Sequence, residues 1–96
     1  MEKMHFQVNV CGGDFDDVAR RFEQWRHEPL VYRASETMFR GRSEVRKLTE
    51  ATFDDAEAAR HALEERCRPS DDFALAAEVD DGSRDLWLVM AAYREG

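Results

Sequence analysis

Leu86-Trp87-Leu88-Val89-Met90-Ala91-Ala92-Tyr93 is the longest unbroken apolar run of the chain, and it follows an Asp81-Gly82-Ser83 turn signal. A half-exposed strand alternates apolar and polar residues. Here both alternate sets are apolar: Leu86, Leu88, Met90 and Ala92 would point one way, Trp87, Val89, Ala91 and Tyr93 the other. Such a strand wants cover on both faces. Leu86, Val89, Met90 and Tyr93 also fit a helical period, and Leu, Met and Ala are good helix formers; the turn signal decides for the strand. In a chain of 96 residues the second cover is expected to come from another molecule.

That length makes one domain, 1–96, with a thin core. The apolar fraction is 43%, ordinary for a globular protein, while 36% of residues are charged, against a usual ~25%. A folded and highly soluble domain is expected. The net charge of −7 disfavours a general binder of nucleic acid or membrane surface. It suits an acidic partner for a basic protein surface, mimicry of nucleic-acid charge included. Met1-Glu2-Lys3-Met4 is no signal-peptide start, and no apolar segment reaches the ~18 residues of a membrane span. Two cysteines, Cys11 and Cys67, make neither a disulfide framework nor a zinc pattern, so a cytoplasmic setting is expected.

Working back from the terminal run, Phe73, Leu75, Ala77 and Val79 alternate with Ala74, Ala76, Glu78 and Asp80. This reads as a strand packed on one side, joined to the terminal run as a hairpin. At the other end of the chain, Met4, Phe6, Val8 and Val10 alternate with His5, Gln7, Asn9 and Cys11, again a one-sided strand. Gly12-Gly13 breaks it, and Asp14 with Asp17 has the spacing of a reciprocal helix cap. Phe15, Val18, Phe22 and Trp25 then form one helical stripe, acids fill the first turn and Arg26 and His27 the last, and Pro29 stops the helix.

Leu30 to Phe39 and Val45 to Phe53 read as the arms of a hairpin turning at Arg40-Gly41-Arg42. The alternation of the second arm is poor, with Leu48 opposite to Val45, Ala51 and Phe53. Phe53 as a hydrophobic staple, Asp54 as cap and Glu57 at its third position announce a second helix, with Ala56, Ala59, Ala62, Leu63 and Cys67 along a narrow face. Arg60/Glu64 and Glu64/Arg68 stand one turn apart on its solvent side. Pro69-Ser70 ends it.

The order β-α-β-β-α-β with a final β predicts a ferredoxin-like α+β sandwich: an antiparallel sheet with two helices on one face and an extra C-terminal edge strand. In that topology one end gathers Gly12, Gly13, Arg40, Arg42, Arg66, Arg68 and both thiols. The other gathers Asp54, Asp55, Glu57, Asp80, Asp81 and Asp85. Residues 33–47 hold five basic and two acidic side chains, residues 71–85 one basic and six acidic.

No constellation states a chemistry. Gly12-Gly13-Asp14 lacks the remaining glycines and the Lys-Ser/Thr of a phosphate loop, and Asp14 and Asp16 would repel phosphate. His5, His27 and His61 are too scattered for a ligand set, and Glu57 with His61 is too few. The thiols read as small buried hydrophobes. No catalytic, cofactor-binding or metal residue is assigned, and no cofactor is expected.

Thr52-Phe53-Asp54-Asp55-Ala56-Glu57-Ala58-Ala59-Arg60 resembles the third-strand-to-second-helix passage of RNA-recognition domains. That resemblance implies base-stacking aromatics on the first and third strands. The corresponding positions hold Gln7 and Asn9, and Arg46, Lys47 and Leu48. With the negative charge, direct nucleic-acid binding is set aside and no family is claimed.

The expectation is a small acidic, non-enzymatic binding protein that regulates or inhibits a macromolecular partner by docking, of the phage anti-defence or immunity-protein type. The partner, a protein or a second copy, would meet the C-terminal apolar strand. Trp87, Tyr93, Tyr32 and Phe39 are the candidate contact aromatics, with Arg40 and Arg42 from the basic segment. The alternative is a dimeric small-molecule binder or enzyme with a pocket between sheet and helices, using His5, Tyr32 and Arg33 as polar groups.

Overall fold

A computed structural model of the chain describes residues 4–27, 39 and 41–94. It is an α+β arrangement of a four-stranded mixed sheet and two helices. The elements are β1 (Met4–Cys11), α1 (Phe15–His27), β2 (Glu44–Lys47), α2 (Ala56–Arg66), β3 (Phe73–Asp80) and β4 (Asp85–Arg94). They follow the predicted order. The first hairpin arm, 30–39, lies outside the described residues except for Phe39.

The terminal run is a strand, as its turn signal predicts, but it is not at an edge. The sheet order is β1-β4-β3-β2, so β4 lies between two neighbours. It runs antiparallel to both, with Cys11 opposite Trp87 on one side and Asp80 opposite Asp85 on the other. β2 pairs in parallel with β3, Val45 opposite Ala74, so the sheet is mixed where an antiparallel one was expected. The expected return strand 45–53 is shorter than its sequence reading. It ends at Lys47, with Leu48 N–H still donating to Ala76 O, and pairs with β3 again in an isolated bridge, Phe53 opposite Val79.

The helices lie on opposite faces of the sheet, not on one. Around α1, Val18 and Phe22 pack with Phe39, Val45, Ala74, Ala76, Trp87, Val89 and Ala91. Around α2, Ala59, Leu63 and Cys67 pack with Leu75, Ala77, Val79, Leu88, Met90 and Ala92. Topology explains the split. The chain crosses the whole sheet from β1 to β2 through α1, then returns one strand from β2 to β3 through α2. Crossovers of one hand made in opposite directions put their helices on opposite faces.

Both apolar sets of β4 are therefore covered by the chain itself. The same holds for β3, whose Ala74 and Ala76 are fully buried, although the sequence reads that strand as one-sided. Alanine is neutral in such a reading. Here its small side chain lets Phe22 and Phe39 approach the sheet, their rings 5.5 Å apart.

The helix starts are built as local chemistry demands. Asp14 and Asp17 cap reciprocally: Asp14 N–H donates to Asp17 Oδ2 at 3.1 Å, and Asp17 N–H to Asp14 Oδ1 at 2.9 Å. Gly13 before them has φ +95°, and a Cβ there would collide with the Asp17 carboxylate. In α2 the cap is Asp55, one residue later than predicted, accepting from Ala58 N–H at 2.7 Å.

Candidate functional site

Of the four described residues proposed from sequence as partner contacts, Trp87, Phe39 and Arg42 are interior and Tyr93 is half-buried. Trp87 is 4% exposed; its ring meets Phe15 at 5.6 Å and its indole N–H donates to Gly13 O at 2.9 Å. Phe39 is fully enclosed between Phe22 and Trp25. Arg42 is 3% exposed and donates to the carbonyl oxygens of Asp71 and Ala92. Its guanidinium also lies 4.8 Å from the centre of the half-buried Tyr93 ring. Tyr32 and Arg40, like Arg33, lie outside the described residues. A central strand needs two covered faces, and α1 and α2 supply both, so the aromatics of β4 are spent inside the chain.

Among the described residues the uncovered apolar surface belongs to β1 instead. Residues paired across an antiparallel ladder point to the same face. Phe6 opposite Ala92, Val8 opposite Met90 and Val10 opposite Leu88 place the apolar row of β1 on the α2 face. A helix is roughly 10 Å wide and so spans about two strands spaced ~4.8 Å apart. α2 is centred on β3 and β4; Phe6 and Val8 reach the margin of its core, and β1 is covered only in part. Met4 is 42% and Val10 57% exposed, and Phe6 and Val8 are half-buried between them. Two hollows run along this row. One of about 330 Å³ is lined by Met4, His5, Phe6, Val8, Arg60 and Glu64; another of about 300 Å³ by Val8, Ala56, Glu57, Arg60 and Leu88. Arg60 Nε donates to Glu64 Oε2 at 3.0 Å, the expected pair one helical turn apart.

The two sheet edges differ in chemistry. β2 is four residues long and exposes Glu44, Arg46 and Lys47, the charged and short edge that resists pairing with other chains. β1 is eight residues long and carries no Asp, Glu, Lys or Arg. The sequence shows β1's alternation, but not which strand would stand at an edge or how far α2 would reach. Strand order is a tertiary property that periodicity does not encode.

The other candidate features resolve into structure. The cleft of about 560 Å³ at the start of α1 is lined by Gly12, Gly13, Asp17, Arg20, Arg21 and Gln24. Two backbone donors there are taken, Asp14 N–H by Asp17 and Asp17 N–H by Asp14, and Asp17 also accepts from the Arg20 side chain, leaving a carboxylate where a phosphate would sit. Those bonds hold the Asp17 carboxyl below the usual carboxylate range. The thiols are apart, Cys11 in the α1-side core and Cys67 in the α2-side core. Burial pushes the Cys11 thiol up, and that of Cys67 up to about 11.

The expected charge polarity changes its membership. A crossover helix runs against its strands, so α2 starts, not ends, where β1 finishes. Gly12 and Gly13 therefore join the acidic end near Asp80 and Asp85. Arg42 and Cys67 lie towards the other end, bonded to Ala92 O and Met90 O. Among the described residues no helix is long and apolar enough to cross a membrane. Comparison of the chain with protein-family models, with curated proteins and with solved structures gives no match.

Proposed function

We propose that the chain is a non-enzymatic binding protein that regulates or inhibits its target by docking a protein surface on the open face of β1. The observation that carries this reading is the row Met4, Phe6, Val8 and Val10, in which Met4 and Val10 are the exposed large hydrophobics. Single exposed apolar residues are ordinary, whereas a contiguous row on an unguarded sheet edge marks an interaction site. The acidic remainder of the chain, net −7, would steer a basic partner towards it and deter acidic ones. The alternative of a small-molecule pocket draws on the same hollows. At about 300 Å³ each they lie at the bottom of the range such pockets occupy, which favours docking.

The test is positional. A photo-crosslinking phenylalanine analogue at Val10 should trap one protein, and the same analogue at Glu44 on the opposite edge should not. Val10→Asp should weaken that complex by about 1–2 kcal/mol or more. Equal trapping from both edges would reject the reading.

A further inference from the structure

We propose that the surface docked on β1 is the β1 strand of a second copy, the two strands running antiparallel about a two-fold axis at Gln7. This rests on the docking reading above and names its partner. In a two-fold antiparallel pair the numbers of facing residues have a constant sum, and facing residues share a face. Only an even sum sets apolar against apolar. A sum centred on Gln7 sets Met4 against Val10 of the second copy and Phe6 against Val8, engaging the whole open row. Centring on Val8 leaves Met4 out. The strand is thus complementary to itself in one register.

Charge selects the same contact. Each copy carries net −7, yet Met4 to Gly13 is a run of ten residues with no Asp, Glu, Lys or Arg. Two like-charged copies meet there without setting carboxylates against each other. The β2 edge, with Glu44, Arg46 and Lys47, lacks this property. The axis stands perpendicular to the sheet, so both copies of α2 stay on one side. The joined sheet has the order β2-β3-β4-β1-β1-β4-β3-β2, and the two open rows merge into one trough between the α2 helices, apolar on its floor and walled by Glu57, Arg60 and Glu64. Strand addition of this kind takes its affinity from main-chain hydrogen bonds and its register from alternate side chains.

Light scattering across roughly 1–100 μM should give twice the 11.2 kDa chain mass at the upper end. Val10→Asp, at a position 57% exposed, should give the single-chain mass with an unchanged circular dichroism spectrum. Register is read by oxidation. Gln7→Cys faces its own copy and should form a disulfide-linked dimer, whereas Asn9→Cys should not, because residue 9 faces residue 5. Both variants lose the 3.0 Å Gln7–Asn9 hydrogen bond, and the circular dichroism spectrum of each reduced protein checks that its fold is kept.

A dimer that survives Val10→Asp, or that links at position 9 as readily as at 7, would overturn the proposal. So would a monomer throughout. A monomer whose residue 10 still traps a foreign protein sinks the second copy and leaves docking standing; a monomer that traps nothing sinks both.

Discussion

Trp87 donates its indole N–H to the carbonyl oxygen of Gly13, 2.9 Å away and 74 residues earlier in the chain. The bond ties the middle of the sheet to the β1–α1 turn, with the Phe15 ring packed beside it. Trp87 is therefore a folding residue. Trp87→Ala should cost about 3–5 kcal/mol through the lost ring volume, and Trp87→Phe about 1 kcal/mol through the lost hydrogen bond. Urea unfolding checks both. A Trp87→Ala protein as stable as the parent would show that the ring is not held as described.

The same residue shows how much of the fold is legible in the sequence. Asp14 with Asp17, the Phe15–Val18–Phe22–Trp25 stripe and the Asp81-Gly82 turn are local signals, and the elements they announce stand where expected. The two-sided apolar pattern of residues 86–93 also states correctly that both faces are covered. What it cannot state is by what. Cover from the chain's own two helices and cover from another molecule leave identical patterns. The difference lies in strand order, which turns on long-range pairing. The one-sided pattern of β1 hides the converse: Met4, Phe6, Val8 and Val10 look like a packed face until the reach of α2 is known.

Arg42 is buried without leaving the backbone short of partners. Its guanidinium donates to the carbonyls of Asp71 and Ala92, joining the loop before β3 to the end of β4, and lies against Tyr93. Arg42→Ala would leave both oxygens without these donors and open a void. About 3 kcal/mol of destabilisation is expected, since hydrogen bonds from a charged donor are worth about 1.5–3 kcal/mol each. Arg42→Lys should recover less than half, because an ammonium cannot present the planar fork that reaches two carbonyls at once. Full recovery by lysine in thermal unfolding would contradict this geometry.

The two thiols should be inert in the folded protein. Desolvation is the main cause of both upward shifts, with Asp71 adding to that of Cys67, which reaches about 11, and Asp17 to that of Cys11. The thiolate is the reactive species. A disulfide-exchange reagent at pH 8 should therefore label the native chain ~100-fold or more slowly than the chain in urea. Oxidation should leave Cys11 and Cys67 unlinked, since the sheet separates them. Rapid labelling of either site in native buffer would require a more open core.

The β3–β4 turn should carry an acid-sensitive signature. Asp81 Oδ1 accepts from Ser83 Oγ at 2.6 Å, Ser83 N–H at 2.9 Å and Arg84 N–H at 3.2 Å. Bonds to Ser83 and Arg84 favour the ionised form and bring the Asp81 carboxyl down to about 2, from an ordinary 3.8. A carboxyl whose folded value is depressed binds its proton less readily than in the unfolded chain. Its stabilisation is complete above about pH 4 and is lost as pH falls through about 2. Because the group is exposed, the effect is modest in water. Asp81→Ala should lower the urea midpoint at pH 6, and the gap from the parent should close towards pH 2. A carboxylate titration followed by NMR should place Asp81 near 2. A midpoint at the ordinary value would mean that the turn is not closed by these three bonds.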